Sequence, residues 1–192
     1  WMKHGDVCEV EIEGIGVLKL VSDKEYKLST PAVTIKDALD YVPGVFVQPK
    51  WGEDSRLSIR GSGLSRNFHL RGVQLYMDGI PISTADGLFD LFEIDPTAYR
   101  YVEVYKGANA LRYGSNSLGG AINFVMPTGR DASPFEARVD AGSFGYLKSQ
   151  VSTAGAHGPA DYFVTASAQR EDGFREHSNG NIERLNANIG YQ

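Results

Sequence analysis

Apolar and polar residues alternate along most of this chain, and the alternation predicts strands far more often than helices. Around the middle, Val102 and Val104 fall on one side of a short run, with Glu103 and Tyr105 on the other. Residues 56–60 alternate with Leu57 and Ile59 inward. Residues 70–77 read as a strand, Asp78-Gly79 as a hairpin turn and residues 80–82 as the return. Near the start, Val7, Glu9, Glu11 and Glu13 oppose Cys8, Val10, Ile12 and Gly14, which predicts a strand, a glycine turn and a second short strand over 5–20. Residues 22–31 are polar and read as a linker. Only one segment has a clear helical period. Ile35, Ala38, Leu39 and Val42 share one helix face behind a Thr34 cap, Asp37 completes part of a capping box, and Pro43-Gly44 stops the helix before a strand at Val45. Asp95-Pro96 carries the signal of another helix start.

Residues 101–125 form the organising stretch. Gly107 ends a strand, and residues 108–112 are good helix formers but too few to be stable without tertiary support. Gly114 can cap that turn. Gly119 and Gly120 then open an apolar strand, where paired glycines suit a bulge or an approach too close for a Cβ.

Beyond the breaker-rich residues 126–134 the texture changes. Ala137, Val139 and Ala141 alternate with Glu136, Arg138 and Asp140, and Leu185, Ala187, Ile189 and Tyr191 alternate with Arg184, Asn186 and Asn188. Residues 147–154 and 162–169 alternate less cleanly. Residues 155–161 read as a short turn and 170–181 as a longer polar loop. Strands of about 10 residues with one apolar and one polar side are the pattern of transmembrane barrels, although a soluble sheet with one wet face has the same pattern.

The fragments Ile59-Arg60-Gly61, Tyr76-Met77-Asp78-Gly79-Ile80-Pro81, Glu103-Val104-Tyr105-Lys106-Gly107, Arg112-Tyr113-Gly114 and Gly119-Gly120-Ala121-Ile122-Asn123 occur in an order and spacing that resemble the plug domain of TonB-dependent outer-membrane receptors. The resemblance covers about 31–128. It implies an α+β plug, a small mixed sheet with short helices, followed over 129–192 by antiparallel β-strands of an incomplete transmembrane β-barrel. Four strands cannot close a plugged barrel, which needs about 22, so the chain looks like a fragment of a larger transporter.

The resemblance also implies a function. A ligand, nearest in texture to a ferric siderophore or ferric citrate, would bind at the outer face, and TonB would pull from the periplasm of a Gram-negative cell. The plug would then rearrange inside a barrel set in outer-membrane lipid, with no covalent step, no enzyme activity and no cofactor. Vitamin B12, haem and glycans remain open as substrates. Arg60 and Arg112 match the two plug arginines that pair with barrel-wall glutamates in this family, which implies that they converge on one side of the plug sheet. A guanidinium offers a rigid fork for such contacts. Length and polarity make loops 62–69 and 83–93 the candidates for the ligand-facing apex. There Arg66 and His69 could meet an anionic chelate, and Ser83, Thr84 and Asp86 could hydrogen-bond it.

Two other readings compete. Residues 5–20 are similar to the C-terminal segment of fumarylacetoacetate hydrolase-family enzymes, but that family's acidic metal ligands have no counterpart here, so no activity follows. Three readings of this N-terminal segment, residues 1–30, stay open: a fusion or gene-call remnant foreign to a receptor, a real strand ahead of the plug, or the place of the TonB box. The segment shows no clear TonB box. Alternatively, 31–128 is a self-standing soluble binding module.

Composition narrows the field only slightly. The chain has 192 residues, 42% of them hydrophobic and 22% charged, as in ordinary folded proteins, and its 22 Gly and 10 Tyr suit a turn-rich β protein. A net charge of −5 argues against a nucleic-acid footprint, despite the basic run Arg56, Arg60, Arg66 and Arg71. The lone Cys8 permits no internal disulfide. No apolar run is long enough for a membrane helix, and no apolar segment after Trp1 reads as a signal peptide. There is no Gly-x-Ser-x-Gly elbow or Walker loop, the four histidines lack metal-ligand spacing, and Asp86, Asp90, Glu93 and Asp95 lack the spacing of an EF-hand.

Overall fold

The computed structural model describes residues 17–21, 34–50, 52–62, 72–84, 89, 91–114 and 116–192. It divides into two compact units, residues 1–126 and 127–192.

The first unit is built on a five-stranded mixed sheet. Its strands are β1 (Val17–Val21), β4 (Val73–Met77), β5 (Ile80–Pro81), β6 (Tyr101–Lys106) and β7 (Gly120–Val125), in the order β1-β6-β7-β4-β5. The β4–β7 pair is parallel and the others are antiparallel. β2 (Val45–Pro49) and β3 (Ser55–Ile59) form a separate hairpin. β1 lies in the segment set apart above as possibly foreign, yet its five residues pair with all of β6 except Lys106. The alternating residues before Val17 and the linker 22–31 lie outside the described residues.

The registers put Val102, Val104, Ile122 and Phe124 on one face of the sheet with Val73 and Leu75, and all six are buried. Ile59 presses on that face at Gly120, where a Cβ would lie 2.6 Å from its Cδ1. Gly119 is just as tight, its Cβ position 2.3 Å from Ser62 Oγ. Of the two explanations for the glycine pair, close approach is therefore the one realised, and β7 pairs without interruption on both sides. The Asp78-Gly79 hairpin is present, with φ of 48° and 79°, the left-handed pair that a two-residue turn matched to strand twist requires.

The helix α1 (Ile35–Leu39) begins where its cap signal places it. Asp37 Oδ2 accepts hydrogen bonds from the Thr34 N–H at 2.8 Å and from its hydroxyl at 3.0 Å, and Ile35, Leu39 and Val42 are buried. Residues 108–112 do turn, as part of the 3-10 helix Gly107–Tyr113. A second 3-10 turn is Leu91–Glu93. The helix expected at Asp95-Pro96 does not form. The buried Asp95 carboxylate accepts from the Thr97 N–H and hydroxyl, as a helix cap does, and the Ala98 N–H donates to the Asp95 carbonyl, but only this single turn forms before β6 begins at Tyr101.

The second unit is a four-stranded antiparallel meander of β8 (Phe135–Ala141), β9 (Leu147–His157), β10 (Ala160–Glu171) and β11 (Gly180–Tyr191). Two strands run past the ends that their composition suggests. The turn expected over 155–161 shrinks to Gly158-Pro159, because Gly155 is a strand residue whose missing Cβ makes room for the Tyr162 ring, 2.9 Å from where that atom would sit.

This sheet is inverted relative to an ordinary soluble one. Its covered face carries Lys148, Asp161, Thr165, Ser167 and Gln169, all buried. Its open face carries Val139, Leu185 and Ile189, exposed by 71%, 74% and 81%. No helix among the described residues is long and apolar enough to cross a membrane.

Candidate functional site

The second face of the first unit's sheet is where polar chemistry collects. Tyr76, Tyr105 and Ala121 lie on it, and the turn Gly107–Tyr113 covers them with Ala110 and Tyr113. The Tyr113 ring is tilted against Tyr76 at 4.5 Å and against Tyr105 at 4.8 Å, and the Tyr76 hydroxyl donates to the Tyr113 carbonyl. Beside this cluster runs a hydrogen-bonded chain. Glu103 Oε2 accepts from the Tyr105 hydroxyl at 3.0 Å and from Asn123 Nδ2 at 2.9 Å. Asn123 Oδ1 accepts from the Gly79 N–H at 2.9 Å, so both ends of this buried amide are used. Asp78 Oδ1 accepts from the Met126 N–H at 3.0 Å, where the unit ends.

Burial is the main reason that these groups titrate abnormally. It raises the Tyr76 phenol, with a further push from Tyr113. It drives the Tyr105 phenol far above its usual range, helped by Tyr113 and by the Glu103 carboxylate, so both tyrosines stay protonated donors. Burial also raises the Asp78 carboxyl, and the Met126 N–H offsets this in part.

The two arginines have different neighbours. Arg60 follows Ile59 on the Val104 side of the sheet. Its backbone is left-handed at φ 52°, its N–H donates to the Gly44 carbonyl at 2.9 Å, and its Nη1 lies 3.0 Å from where a Gly107 Cβ would be. Arg112 belongs to the turn on the Tyr105 side, with its guanidinium carbon 5.4 Å from the ring centres of Tyr105 and Tyr113. Both are exposed and both flank the turn Gly107–Tyr113, one at its start and one near its end. Gly107, at φ 63°, turns the chain out of β6 between the two layers.

Of the apex residues, Ser83 is half-buried and Thr84 exposed, while Arg66, His69 and Asp86 lie outside the described residues. Among the acidic loop residues, Asp86 and Asp90 also lie outside, and Asp95 is engaged by Thr97. No group of three potential metal ligands occurs among the described residues. The Glu103–Asn123–Gly79 chain was missed in the sequence, although an Asn within the apolar run Ala121-Ile122-Asn123-Phe124-Val125 is the kind of residue that signals a buried polar partner. This arrangement holds strands together through exchangeable polar contacts.

The family model described as TonB-dependent Receptor Plug Domain matches residues 15–121, more than half of the chain. The chain belongs to the TonB-dependent receptor plug-domain family. The match takes in β1, so the edge strand is part of the plug region. The fumarylacetoacetate hydrolase-like stretch has only residues 17–20 among the described ones, and these lie in the plug sheet.

Among curated relatives, a ferric-pyoverdine receptor of Pseudomonas sp. (strain M114) is 30% identical over 64% of this chain and 14% of its own length. The rhizobactin receptor of Rhizobium meliloti (strain 1021) is 35% identical over 53% of this chain and 14% of its own length. A vitamin B12 transporter of Vibrio vulnificus (strain CMCP6) is 28% identical over 75% of this chain and 23% of its own. The chain thus spans about a seventh to a quarter of the curated relatives it matches. The ferripyoverdine receptor of the Pseudomonas aeruginosa outer membrane superposes with a TM-score of 0.67 at 21% identity, over 92% of this chain and 23% of that one. At that identity the likeness speaks for fold alone, that of a plug domain followed by antiparallel strands.

Proposed function

We propose that this chain is the plug and first barrel strands of an outer-membrane receptor of a Gram-negative bacterium, which takes up a ferric chelate of the siderophore or citrate class by TonB-coupled transport. The observation that carries the reading is the pairing of a plug sheet with a sheet whose apolar side faces outward. Burying such a face needs lipid, and its polar side suits a hydrated lumen. The transported iron is cargo, and no resident cofactor or covalent step is needed.

In this reading TonB engages the periplasmic side. Ser83, Thr84, Asp86, Arg66 and His69 belong to the loops that meet the chelate, and Arg60 and Arg112 act as separate cationic contacts for barrel-wall carboxylates. The relatives named above include receptors for iron chelates and a vitamin B12 transporter, so cobalamin is the rival cargo.

The test is uptake by the receptor carrying this chain, expressed in a Gram-negative strain stripped of its own iron and cobalamin receptors. Radio-iron would be offered as hydroxamate, catecholate and citrate complexes, with labelled cobalamin in parallel. Uptake of at least one iron complex that stops on deletion of TonB is expected. Cobalamin uptake alone, or iron uptake indifferent to TonB, would overturn the proposal. Arg66→Ala in the same receptor should weaken binding of the transported chelate, and unchanged affinity for every chelate removes Arg66 from the site.

A further inference from the structure

The segment that follows the plug is held by the strands in a way that its sequence does not announce. Asp161, at the start of β10, is 6% exposed and accepts two hydrogen bonds from this segment, from the Gly129 N–H at 3.1 Å and from Arg130 Nε at 3.2 Å. Arg130 Nη2 also donates to the Gly158 carbonyl at 2.8 Å, in the turn between β9 and β10. Asn188 of β11 donates to the Pro127 carbonyl at 3.2 Å.

Two glycines make the fit possible. A Cβ at Gly129 would stand 2.2 Å from the Gly155 carbonyl oxygen and 2.5 Å from the Tyr162 nitrogen, so the segment lies directly on strand backbone. A Cβ at Gly190 would stand 2.7 Å from Asp161 Oδ2, so that glycine leaves space for the carboxylate. The segment is also folded on itself, with the Thr128 N–H donating to Asp131 Oδ1 at 2.7 Å and the Ala132 N–H to the Thr128 carbonyl at 3.1 Å.

On the plug side, Met126 is buried, and its N–H donates to Asp78 Oδ1. A hydrogen bond to a carboxylate that is also paired with a cation is charge-assisted, and the Gly129 N–H makes such a bond beside the Arg130–Asp161 ion pair.

We infer that Asp161 is an anchoring residue that fixes residues 127–130 to the strand sheet, so that this segment stays in place when the plug is displaced. The segment would then act as a fixed mount that limits how far the plug can leave. This goes beyond the proposed uptake function and does not depend on which chelate is carried.

Native-state amide exchange in rising urea, on the full receptor in detergent micelles, tests the inference residue by residue. In the wild type, Met126 should open at lower urea than Gly129, with at least a tenfold faster exchange rate in buffer. Asp161→Asn keeps the acceptor shape and removes the charge. It should speed Gly129 and Arg130 exchange at least tenfold and leave Met126 unchanged. Arg130→Gln, at an exposed position, should produce a smaller change in the same residues. Asp78→Ala should speed Met126 exchange alone. Exchange at Gly129 as fast as at Met126 in the wild type, or no response of Gly129 to either Asp161→Asn or Arg130→Gln, overturns the inference. Cargo uptake is not part of the readout, so failure here leaves the transport proposal standing.

Discussion

The two sheets of this protein obey opposite rules. In the plug, apolar side chains such as Ile122 and Phe124 are 0% and 1% exposed. In the strand unit, Lys148 is 1% exposed while Leu185 and Ile189 stand open at 74% and 81%. Both sheets use the same alternation of period two. The difference lies in which side is offered to solvent. A sheet stabilised by water exclusion must hide its apolar side, whereas a sheet that faces hydrocarbon must show it and satisfy its polar groups inward. The plug can be assigned a core from its own residues. The strand unit gains little from water-driven burial and depends on its ladder and on the medium around it.

The contrast is broken or sharpened most strongly by exchanging the rules. Phe124→Ala should destabilise the plug by about 3–5 kcal/mol through the cavity left beside Tyr99, whose ring lies 5.1 Å away, as read by urea unfolding. Leu185→Arg should leave that unfolding transition unmoved, yet cost about 2–4 kcal/mol when the strands insert into lipid vesicles. Equal effects of Leu185→Arg on both readouts would end the distinction between the sheets.

A smaller effect separates packing from polarity within the plug. Gly119→Val drives side-chain atoms into Ser62 and the Gly72 carbonyl, which lie 2.3 Å and 2.8 Å from the Cβ position, and should cost about 1–3 kcal/mol. Ser62→Gly in the same chain should recover part of it, because the Gly72 carbonyl stays in place.

The next effect depends on pH. Asp78 has a raised pKa in the fold, so its ionisation favours the unfolded chain. The stability linked to it is fully present below the unfolded value near 3.8 and is lost as pH rises through the folded value. Asp78→Asn keeps an oxygen for the Met126 N–H and should flatten stability against pH over that window. Asp78→Ala should lose about 1 kcal/mol at neutral pH, a value typical of one hydrogen bond. A steeper pH profile in Asp78→Asn than in the wild type would contradict this reading. The smallest change is expected on the surface. Lys36→Ala removes the ion pair with Asp40 one helical turn away and should cost about 0.3–0.5 kcal/mol, fading in high salt.

Local chemistry was legible in the sequence wherever a residue decides its own surroundings. The Thr34–Asp37 cap, the Asp78-Gly79 turn, the Gly107 strand end and the inward side of Val102 and Val104 each follow from a side chain or a backbone preference acting over a few residues. Where a residue answers to a distant partner, the sequence misled. Gly155 looks like a breaker until Tyr162 is seen to occupy its missing side chain.

The amino-acid order by itself determined that this chain is mostly strand, where its tight turns fall, and that it carries the fragments of a plug. It did so because alternation, glycine and capping are short-range effects. Tertiary structure alone decided that β1 joins the plug sheet, that Asn123 bridges Glu103 to Gly79, and that Asp161 grips the segment after the plug. Those choices depend on residues far apart in the chain meeting in space. A hydrogen bond or a missing Cβ has its meaning only against the atom on the other side.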